Sequence, residues 1–433
     1  MAAATHEEVT PPELAAAVPW IRVLCWATLT LEGFDIVALS ASLPTILDTH
    51  HAGIGKAQAT FVTTLTLVGI LVGAIAVGPV SDRFGRRHSL MGSIALFSSF
   101  TLVVPWAATA ATFGGLRFVA GIGLGACLPV ALTMMSEVTP AAERARGTTM
   151  TMTGYHVGAV LTSLLALAVV PDWHWLFLIG GVVGCLVLPV MWVKLPETNQ
   201  VTVRNERVAR DAAPSTGRPV AKVPLSAVLR TPYARASITT WVASFMGLLL
   251  VYGLNSWLPT MMRSAGYALG TSLTLLLLLN LGGVVGLVLA GRVGDARGIR
   301  PSAIGWFAGA TVLLAALSVR MPTLLLDVAV FLTGIFVFSA QVLVYAWIAR
   351  VFPSTIRGTA LGLAAGIGRI GSIVGPAATG ALVTADLAYP WGFALFAVVA
   401  LLAVAAMALS PRGLEERGST LSPKAGGITL PRR

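Results

Sequence analysis

The chain has 433 residues, of which 56% are hydrophobic and 11% are charged, and its formal net charge is +11. No ordinary soluble domain is this apolar, so the composition excludes a soluble protein and indicates a polytopic membrane protein. The N-terminal segment carries acidic residues and no basic run before the first apolar stretch, which predicts no removable signal peptide. The three cysteines are dispersed within apolar segments, an arrangement that argues against disulfides and metal sites.

Apolar runs of about twenty residues, bounded by charges or by glycine and proline turns, are long enough to cross a bilayer. The first six lie near residues 20–47, 58–81, 88–108, 110–136, 147–170 and 173–193. A second six lie near residues 237–262, 269–294, 301–320, 322–349, 357–383 and 388–411. The pattern predicts an all-α polytopic membrane protein with 12 transmembrane helices in two six-helix bundles.

The spans divide the chain into five predicted segments. These are a tail at 1–19, a six-helix bundle at 20–193, a linker at 194–236, a second six-helix bundle at 237–411 and a tail at 412–433. Basic residues concentrate in the linker, in the C-terminal tail and in alternate loops, whereas the opposite loops hold only Lys56, Arg263 and Arg320. Because cytoplasmic loops accumulate lysine and arginine, both tails and the linker are expected to be cytoplasmic. The positive net charge is therefore a topology signal and predicts no nucleic-acid partner.

The two halves repeat each other in sequence. The string Gly78-Pro-Val-Ser-Asp-Arg-Phe-Gly-Arg-Arg87 returns 213 residues later as Gly291-Arg-Val-Gly-Asp-Ala-Arg-Gly-Ile-Arg300. Arg-Gly-Thr likewise occurs at 146–148 and again at 357–359, at the start of the fifth span of each half. Two repeats of the same orientation predict a pseudo-twofold axis along the membrane normal, with a binding site between the halves near the midplane.

Four charged residues lie deep inside predicted spans, near mid-membrane level, where a charge costs at least ~2.5 kcal/mol. Glu32 and Asp35 are three residues apart on one helix, so both carboxyls are expected to enter the same crevice. At 1.5 Å rise per residue, Glu32, Asp35, Arg117 and Arg369 all lie roughly 20 Å above the cytoplasmic face. The sequence thus predicts one ion-paired cluster around a central cavity. Two acids in a dry site cannot both ionise cheaply, which indicates proton-coupling chemistry, whereas an acid pair neutralised by a fixed arginine is the purely architectural alternative.

Several motifs resemble those of a known family. The Gly78–Arg87 string resembles the signature loop of the major facilitator superfamily. Glu32-Gly-Phe-Asp35, followed by Pro44, resembles the Asp-Gly-Phe-Asp motif of the first helix in aromatic acid/proton symporters, with Glu32 in place of the usual aspartate. Gly366-Ile-Gly-Arg-Ile-Gly371 is similar to the eleventh-helix motif of the same family.

The resemblance implies a major facilitator fold and proton-coupled uptake of a small aromatic carboxylate of the benzoate or hydroxybenzoate class. It implies a monomer in the lipid bilayer of the bacterial inner membrane, driven by the proton gradient and without a cofactor, metal or catalytic residue. Another major facilitator, such as a drug/proton antiporter or a transporter of non-aromatic organic acids, is the alternative. A membrane enzyme lacks support, since no metal-binding or nucleotide motif occurs in the chain.

We assign a hypothetical role to each of the four intramembrane charged residues. Glu32 and Asp35 would carry the transported proton, and Arg369 would bind the substrate carboxylate, because a guanidinium offers a planar fork of donors that stays charged. Arg117 has two possible roles: it pairs with the first-helix acids as a coupling element, or it helps to hold the substrate. The predicted cavity lining adds polar and aromatic residues of the fifth, seventh and tenth spans: Tyr155, His156, Tyr252, Asn255, Trp257, Gln341 and Tyr345. Asn280 in the eighth span is a further candidate.

The short cytoplasmic loops carry the candidate gate. A turn with one acid and several arginines is suited to charge pairs that break when the cavity opens inward. The gating candidates are Asp82, Arg83, Arg87, Glu137, Arg146 and Asp295. The alternative for any one of these arginines is an ordinary surface charge that sets topology.

Overall fold

The protein is described by a computed structural model that covers residues 12–139, 144–198 and 228–411. Twelve helices in these ranges are long and apolar enough to cross a membrane, which confirms the predicted all-α fold class. They are α1 (Pro12–Thr49), α2 (Lys56–Phe84), α3 (Arg86–Val103), α4 (Ala110–Val138), α5 (Arg144–Val169), α6 (His174–Lys194), α7 (Ala234–Ser264), α8 (Leu269–Arg297), α9 (Ile299–Leu317), α10 (Thr323–Val351), α11 (Ser354–Thr384) and α12 (Trp391–Leu409). Short 3-10 helices occupy His51–Gly53 and Val104–Trp106.

Helix α1 begins at Pro12, earlier than the predicted start at residue 20. Apolarity marks only the stretch that crosses the bilayer, whereas the helix continues wherever the local sequence favours it. Here a proline in the first turn is followed by Glu13 and an alanine run at 15–17, all of which favour a helix start. Most of the predicted linker and the C-terminal tail lie outside the described residues.

The repeated loop has the same backbone in both halves. Gly85, between α2 and α3, has φ 89°, and Gly298, between α8 and α9, also has φ 89°. A side chain at this φ would be strained, so the turn between two nearly adjacent helices requires glycine. The repeat found in the sequence therefore encodes a turn that reverses the chain at the same place in each half.

The last arginine of the repeated string also has matching contacts. Arg87 donates a hydrogen bond to the carbonyl of Trp192, near the end of α6. Arg300 donates from Nε to the carbonyl of Ser410 at 3.1 Å and from Nη2 to the carbonyl of Ala408 at 2.6 Å, at the end of α12. Carbonyls at a helix C-terminus lack partners within the helix and carry partial negative charge. Each arginine thus ties the repeated loop to the last helix of its own half.

Helix packing follows the same pseudo-twofold relation. In the first half α1 packs along α5 and α2 along α4, and in the second half α7 packs along α11 and α8 along α10. Between the halves, α2 meets α11, α5 meets α8 and α1 meets α7. Of the helices that carry the charged candidates, α1 and α11 therefore meet the other half, whereas the extensive contacts of α4 are with helices of its own half.

Two glycines set how closely these helices approach. A Cβ atom on Gly33 of α1 would collide with the backbone carbonyl of Tyr155 in α5. A Cβ atom on Gly371 of α11 would collide with the backbone carbonyl of Phe245 in α7. Small residues at such contacts let two helix backbones pack directly against each other. Each glycine lies within two residues of a charged candidate, so these contacts fix the position of that charge.

Candidate functional site

Asp35 lies in a fully buried ion pair inside the first half. Arg117 of α4 donates from Nη1 to Asp35 Oδ1 at 2.5 Å, and Thr101 of α3 donates to Asp35 Oδ2 at 2.5 Å. Asp35 is 2% exposed and Arg117 is 0% exposed. Both carboxylate oxygens are thus occupied, and three helices of one half meet at this carboxyl group.

The rest of the Arg117 guanidinium is only partly satisfied. Its carbon lies 5.7 Å from the centroid of the Phe177 ring of α6, a cation–π distance. Within the part of the chain that the structure describes, Nε and Nη2 of Arg117 have no hydrogen-bond partner. Removing the single acid that balances this buried cation would therefore be costly.

Glu32 and Arg369 form a second unit, which spans the two halves. Glu32 of α1 is 2% exposed, and its Oε2 atom has no hydrogen-bond partner among the described residues. Arg369 of α11 lies within electrostatic range of Glu32. Arg369 donates from Nη1 to the Tyr252 hydroxyl at 2.8 Å, and its guanidinium carbon lies 5.9 Å from the centroid of that ring. Tyr345 of α10 is also within electrostatic range of Arg369.

The four charges therefore divide into one ion pair, Asp35–Arg117, and a looser unit of Glu32 and Arg369, whereas their depth alone predicted one cluster. Residues three positions apart on a helix differ in direction by roughly 60°. This angle lets Asp35 point into the first half while Glu32 points toward the second. Cys127 lies within electrostatic range of both carboxyl groups, so the two units remain close. Depth along the membrane normal follows from the sequence, but direction around the helix decides which charges meet.

A polar patch lies beside this unit, between α5, α7 and α8. Asn280 donates from Nδ2 to Asn255 Oδ1 at 3.4 Å and to the Leu276 carbonyl at 2.9 Å. The Tyr155 hydroxyl lies beside the Asn255 amide and within electrostatic range of Tyr252. The structure thus brings together the predicted candidates of α5 and α7 with the weaker candidate of α8.

The two remaining aromatic and amide candidates of α7 and α10 lie in helix packing. Trp257 is fully buried and donates its indole N–H to the Pro376 carbonyl of α11 at 2.9 Å. A buried indole N–H needs an acceptor, and here the neighbouring helix supplies it. Gln341 is buried and donates to the Ser244 hydroxyl of α7 at 2.9 Å.

His156 occupies the contact between the two halves. Its ring packs edge-on against Tyr155 at 5.4 Å and against Phe338 of α10 at 5.6 Å between centroids. A Cβ atom on Gly283 of α8 would lie 3.4 Å from Nδ1 of His156. The imidazole is therefore in aromatic packing where α5 meets the second half.

On the side predicted to face outward, the two halves are joined by polar contacts that were not predicted from the sequence. Lys56 pairs with Asp386, and Arg263 donates to Asp48 at 3.0 Å. The signal was present, since Lys56 and Arg263 are two of the few basic residues on the predicted outer side. Each of them pairs with an acid from the other half, so these contacts close the outer end of the crevice.

The loop between α1 and α2 connects two of these residues, Asp48 at the end of α1 and Lys56 at the start of α2. Within it, the His51 ring packs edge-on against Trp173 at 5.0 Å between centroids. Burial and the nearby His174 lower the pKa of His51 below its ordinary value. A neutral imidazole in aromatic packing therefore anchors this loop.

On the side predicted to be cytoplasmic, Arg86 is the central residue of the first repeated loop. It donates from Nη1 to Asp82 at 2.6 Å and to the Ser81 hydroxyl at 2.6 Å, and its Nε lies 3.5 Å from Glu137 Oε1. Asp82 and Glu137 were predicted as gate residues, but the arginine that joins them was missed. A conformation-specific network cannot be read from the number of charges in a loop.

Glu197 is a second residue of this region that was not among the predicted gate candidates. Its carboxylate accepts hydrogen bonds from the backbone N–H groups of Arg86 at 2.9 Å and Arg87 at 3.2 Å. An acid at a helix N-terminus stabilises the unpaired N–H groups of the first turn. Glu197 thus ties the segment after α6 to the start of α3.

The other gate candidates lie at different places in the structure. The Arg83 guanidinium lies 5.4 Å from the centroid of the neighbouring Phe84 ring, and Asp295 is exposed near the end of α8. Arg146 lies in the first turn of α5, and its side chain is outside the described part of the chain. None of these positions tests the predicted gating role.

The sequence of the chain matches a known family over nearly its whole length. The model described as Major Facilitator Superfamily matches residues 25–326 and 281–431. The chain belongs to the major facilitator superfamily. It is therefore a multi-pass membrane transporter and not an enzyme.

Curated relatives within this superfamily agree with the resemblance seen in the motifs. The chain is 31% identical to the gentisate transporter of Corynebacterium glutamicum, over 89% of this chain and 85% of that protein. It is 32% identical to the 4-hydroxybenzoate transporter PcaK of Pseudomonas aeruginosa, over 82% of this chain and 84% of that protein. It is 28% identical to the benzoate transport protein of Acinetobacter baylyi, over 88% of each chain. The predicted resemblance to aromatic acid transporters is confirmed.

Solved major facilitator structures share the fold. The chain matches the inward open conformation of the xylose transporter XylE from Escherichia coli with a TM-score of 0.71 and 18% identity. The match covers 93% of this chain and 99% of the XylE chain. A crystal structure of a D-xylose-proton symporter gives a TM-score of 0.70 at 17% identity, covering 89% of this chain and 96% of that one. Both matches support the two-bundle architecture alone.

Proposed function

We propose that the protein takes up a small aromatic carboxylate together with protons by alternating access. The observation that carries the proposal is the position of Arg369, which faces Glu32 across the boundary between the halves and contacts Tyr252. The relatives named for gentisate, 4-hydroxybenzoate and benzoate support an aromatic carboxylate as substrate. The protein acts as a monomer in the bacterial inner membrane, with both termini cytoplasmic.

Arg369 binds the substrate carboxylate. A guanidinium presents parallel N–H donors that match two carboxylate oxygens, and one of its donors is already held by the Tyr252 hydroxyl. The Tyr252 ring lies beside the guanidinium and Tyr345 is nearby, so aromatic surface is available for the substrate ring. This arrangement orients a flat anion with its carboxylate at Arg369 and its ring between helices of the second half.

Glu32 couples this binding to a proton. When Glu32 is ionised it attracts the same guanidinium that the substrate needs, and its buried charge repels the incoming anion. Protonation of Glu32 removes both effects, so anion and proton bind together. Transport of one anion with one proton moves no net charge and avoids a cost of ~2.3 kcal/mol per charge per 100 mV.

Asp35 and Arg117 form the second coupling element, within the first half. Protonation of Asp35 weakens its bond with Arg117 and frees the buried guanidinium to seek another partner. Because the pair joins α1 to α4 and Thr101 joins α1 to α3, this change alters how three helices pack. The coupling interpretation of Arg117 is therefore preferred over direct contact with the substrate.

Rocking of the halves requires the outer contacts to separate. We expect a disulfide in the double variant Thr60→Cys/Thr384→Cys, because the two hydroxyl oxygens lie 3.4 Å apart across the boundary. Under oxidising conditions uptake should fall close to zero, and reduction should restore it. Gel mobility and uptake measured before and after reduction check this result, with each single cysteine variant as control. A cross-linked protein that transports at the normal rate would rule out movement at this contact.

Uptake into proteoliposomes tests the function. Labelled benzoate and 4-hydroxybenzoate should accumulate when the interior is made alkaline, and accumulation should vanish when a protonophore removes the gradient. Glu32→Gln should abolish accumulation driven by the pH gradient but retain exchange of labelled for unlabelled substrate, because exchange needs no net proton movement. Thr333→Val, which removes a hydroxyl that bonds only its own helix, serves as the control. Gradient-driven accumulation in Glu32→Gln would contradict the role of this residue, and absence of any aromatic acid uptake would contradict the function.

A further inference from the structure

A groove of about 680 Å³ runs along the surface of the first half, between α2 and α3, with α4 as its floor. It exists because α2 and α3 each pack along α4 and make few direct contacts with each other. Gly92 of α3 lines this groove, and a Cβ atom on it would meet no other atom within 4 Å. The groove is therefore open space on an exposed face of the first half.

One end of the groove carries polar groups that suit an anion. Arg83 of α2 and His88 of α3 line it, next to Ser89. Asp82, the acid beside Arg83 in the sequence, already accepts a hydrogen bond from Arg86 at 2.6 Å. Ser89 is 7% exposed, and its Oγ atom has no hydrogen-bond partner within the described ranges. Buried hydroxyls are normally paired, so an unpaired one beside two basic side chains points to an acceptor group from outside the chain.

The rest of the groove is apolar and has the length of one bilayer leaflet. Its lining includes Val80 and Leu96 and reaches Gly73, which precedes Arg83 on α2 by ten residues (83 − 73 = 10). Ten residues of helix rise roughly 15 Å, which is half of the ~30 Å hydrocarbon core. The polar end thus lies at the membrane surface and the apolar part extends toward the midplane, as an acyl chain of the same leaflet does.

The matching place in the second half has different side chains. The repeat offset of 213 residues places Ala296 and Pro301 at the positions of the two basic residues, and Ser302 at the position of the serine. The Ser302 hydroxyl donates to the Gly298 carbonyl at 2.7 Å, so it is paired within its own helical turn. The repeated turn therefore forms without the two basic groups, which indicates a separate role for them in the first half.

We propose that the groove binds one anionic phospholipid, with its phosphate at Arg83, His88 and Ser89 and an acyl chain between α2 and α3. Guanidinium, imidazole N–H and hydroxyl groups all donate hydrogen bonds, and phosphate oxygens accept them. A glycerol headgroup adds no cation near Arg83, whereas the choline of phosphatidylcholine does. Basic residues at the membrane surface attract the anionic lipids of the cytoplasmic leaflet, the side on which this end of the groove is predicted to lie. The inference does not depend on which substrate is transported.

Native mass spectrometry of the purified, delipidated protein tests the site, with phosphatidylglycerol and phosphatidylcholine of the same acyl chains as probes. The first phosphatidylglycerol should bind the wild-type protein about fivefold more tightly than the first phosphatidylcholine, as expected for a basic residue near a lipid headgroup. Gly92→Leu places a side chain in the groove and should weaken phosphatidylglycerol binding about tenfold or more, because the acyl chain loses its contact surface. Gly305→Leu, at the repeat-related position of α9 and equally open around its Cβ atom, should bind as the wild-type protein does.

A second variant tests the headgroup contacts, and it keeps the test valid if thermal unfolding shows that Gly92→Leu is not folded. Arg83→Gln/His88→Gln should bind the two lipids equally, because the groove for the acyl chain remains and the charge is gone. Equal binding of phosphatidylglycerol by Gly92→Leu and Gly305→Leu would overturn the site, since lipid would then only coat the surface. A fivefold preference retained in the double variant would overturn the phosphate contacts. Displacement of the lipid by soluble glycerol phosphate would overturn a lipid as the occupant.

Discussion

Asp35→Asn is expected to lower the free energy of unfolding by about 3–5 kcal/mol, because it leaves a buried guanidinium without a counter-charge. Arg117 is 0% exposed, and its only described hydrogen bond goes to Asp35. An asparagine preserves the shape of the side chain but not its charge. Thermal unfolding of the variant in detergent, compared with the wild-type protein at the same pH, measures the loss.

A double variant separates the charge from the packing. Asp35→Leu/Arg117→Met replaces both partners by apolar side chains of similar size and should recover much of the stability, since neither charge of this pair remains buried. It should still fail to accumulate substrate, because the second coupling element, with its proton-binding Asp35, is gone. If Asp35→Asn unfolds at the wild-type temperature, the ion pair does not stabilise the first half.

Arg369→Gln is expected to weaken binding of benzoate and 4-hydroxybenzoate by about 30-fold or more. Removing one member of a buried, hydrogen-bonded charge pair costs about 2–5 kcal/mol of binding free energy. Arg369→Lys should recover only part of the loss, since an ammonium keeps the charge but lacks the planar fork. Equilibrium binding of the labelled acids to each purified variant gives the ratio.

The control for this measurement is Arg320→Gln, which removes an exposed guanidinium in the loop between α9 and α10. It should bind both acids as the wild-type protein does. Wild-type affinity in Arg369→Gln would exclude Arg369 as the carboxylate site, and equal weakening in Arg320→Gln would point to a general effect of net charge.

The sequence predicted the architecture because membrane spans are set by local apolarity and the halves by repetition. Gly85 and Gly298 illustrate this, since each occupies the same positive-φ turn in its own repeat. The depth of each intramembrane charge followed from the rise per residue. Which charges pair did not follow, because Glu32 and Asp35 differ in direction around α1 and only the packing of neighbouring helices decides what each one meets.

Contacts made by common polar residues also could not be predicted from the sequence. Thr101 lies in an apolar span and looks like any threonine that bonds its own helix, yet it donates to Asp35. Glu197 follows α6 in a segment without a distinctive motif, yet it accepts two N–H groups at the start of α3. Both contacts join helices far apart in the chain, so they depend on tertiary packing and have no local signal.

The pH dependence of substrate binding tests the central claim most directly, which is that carboxylate capture by Arg369 requires protonation of Glu32. Binding of labelled 4-hydroxybenzoate to the purified protein should weaken by up to tenfold per pH unit on the alkaline side, as linkage to one proton requires. In Glu32→Gln the affinity should remain nearly constant over the same pH range, because a neutral amide replaces the titrating group. An equally steep pH dependence in wild-type protein and Glu32→Gln would contradict the account.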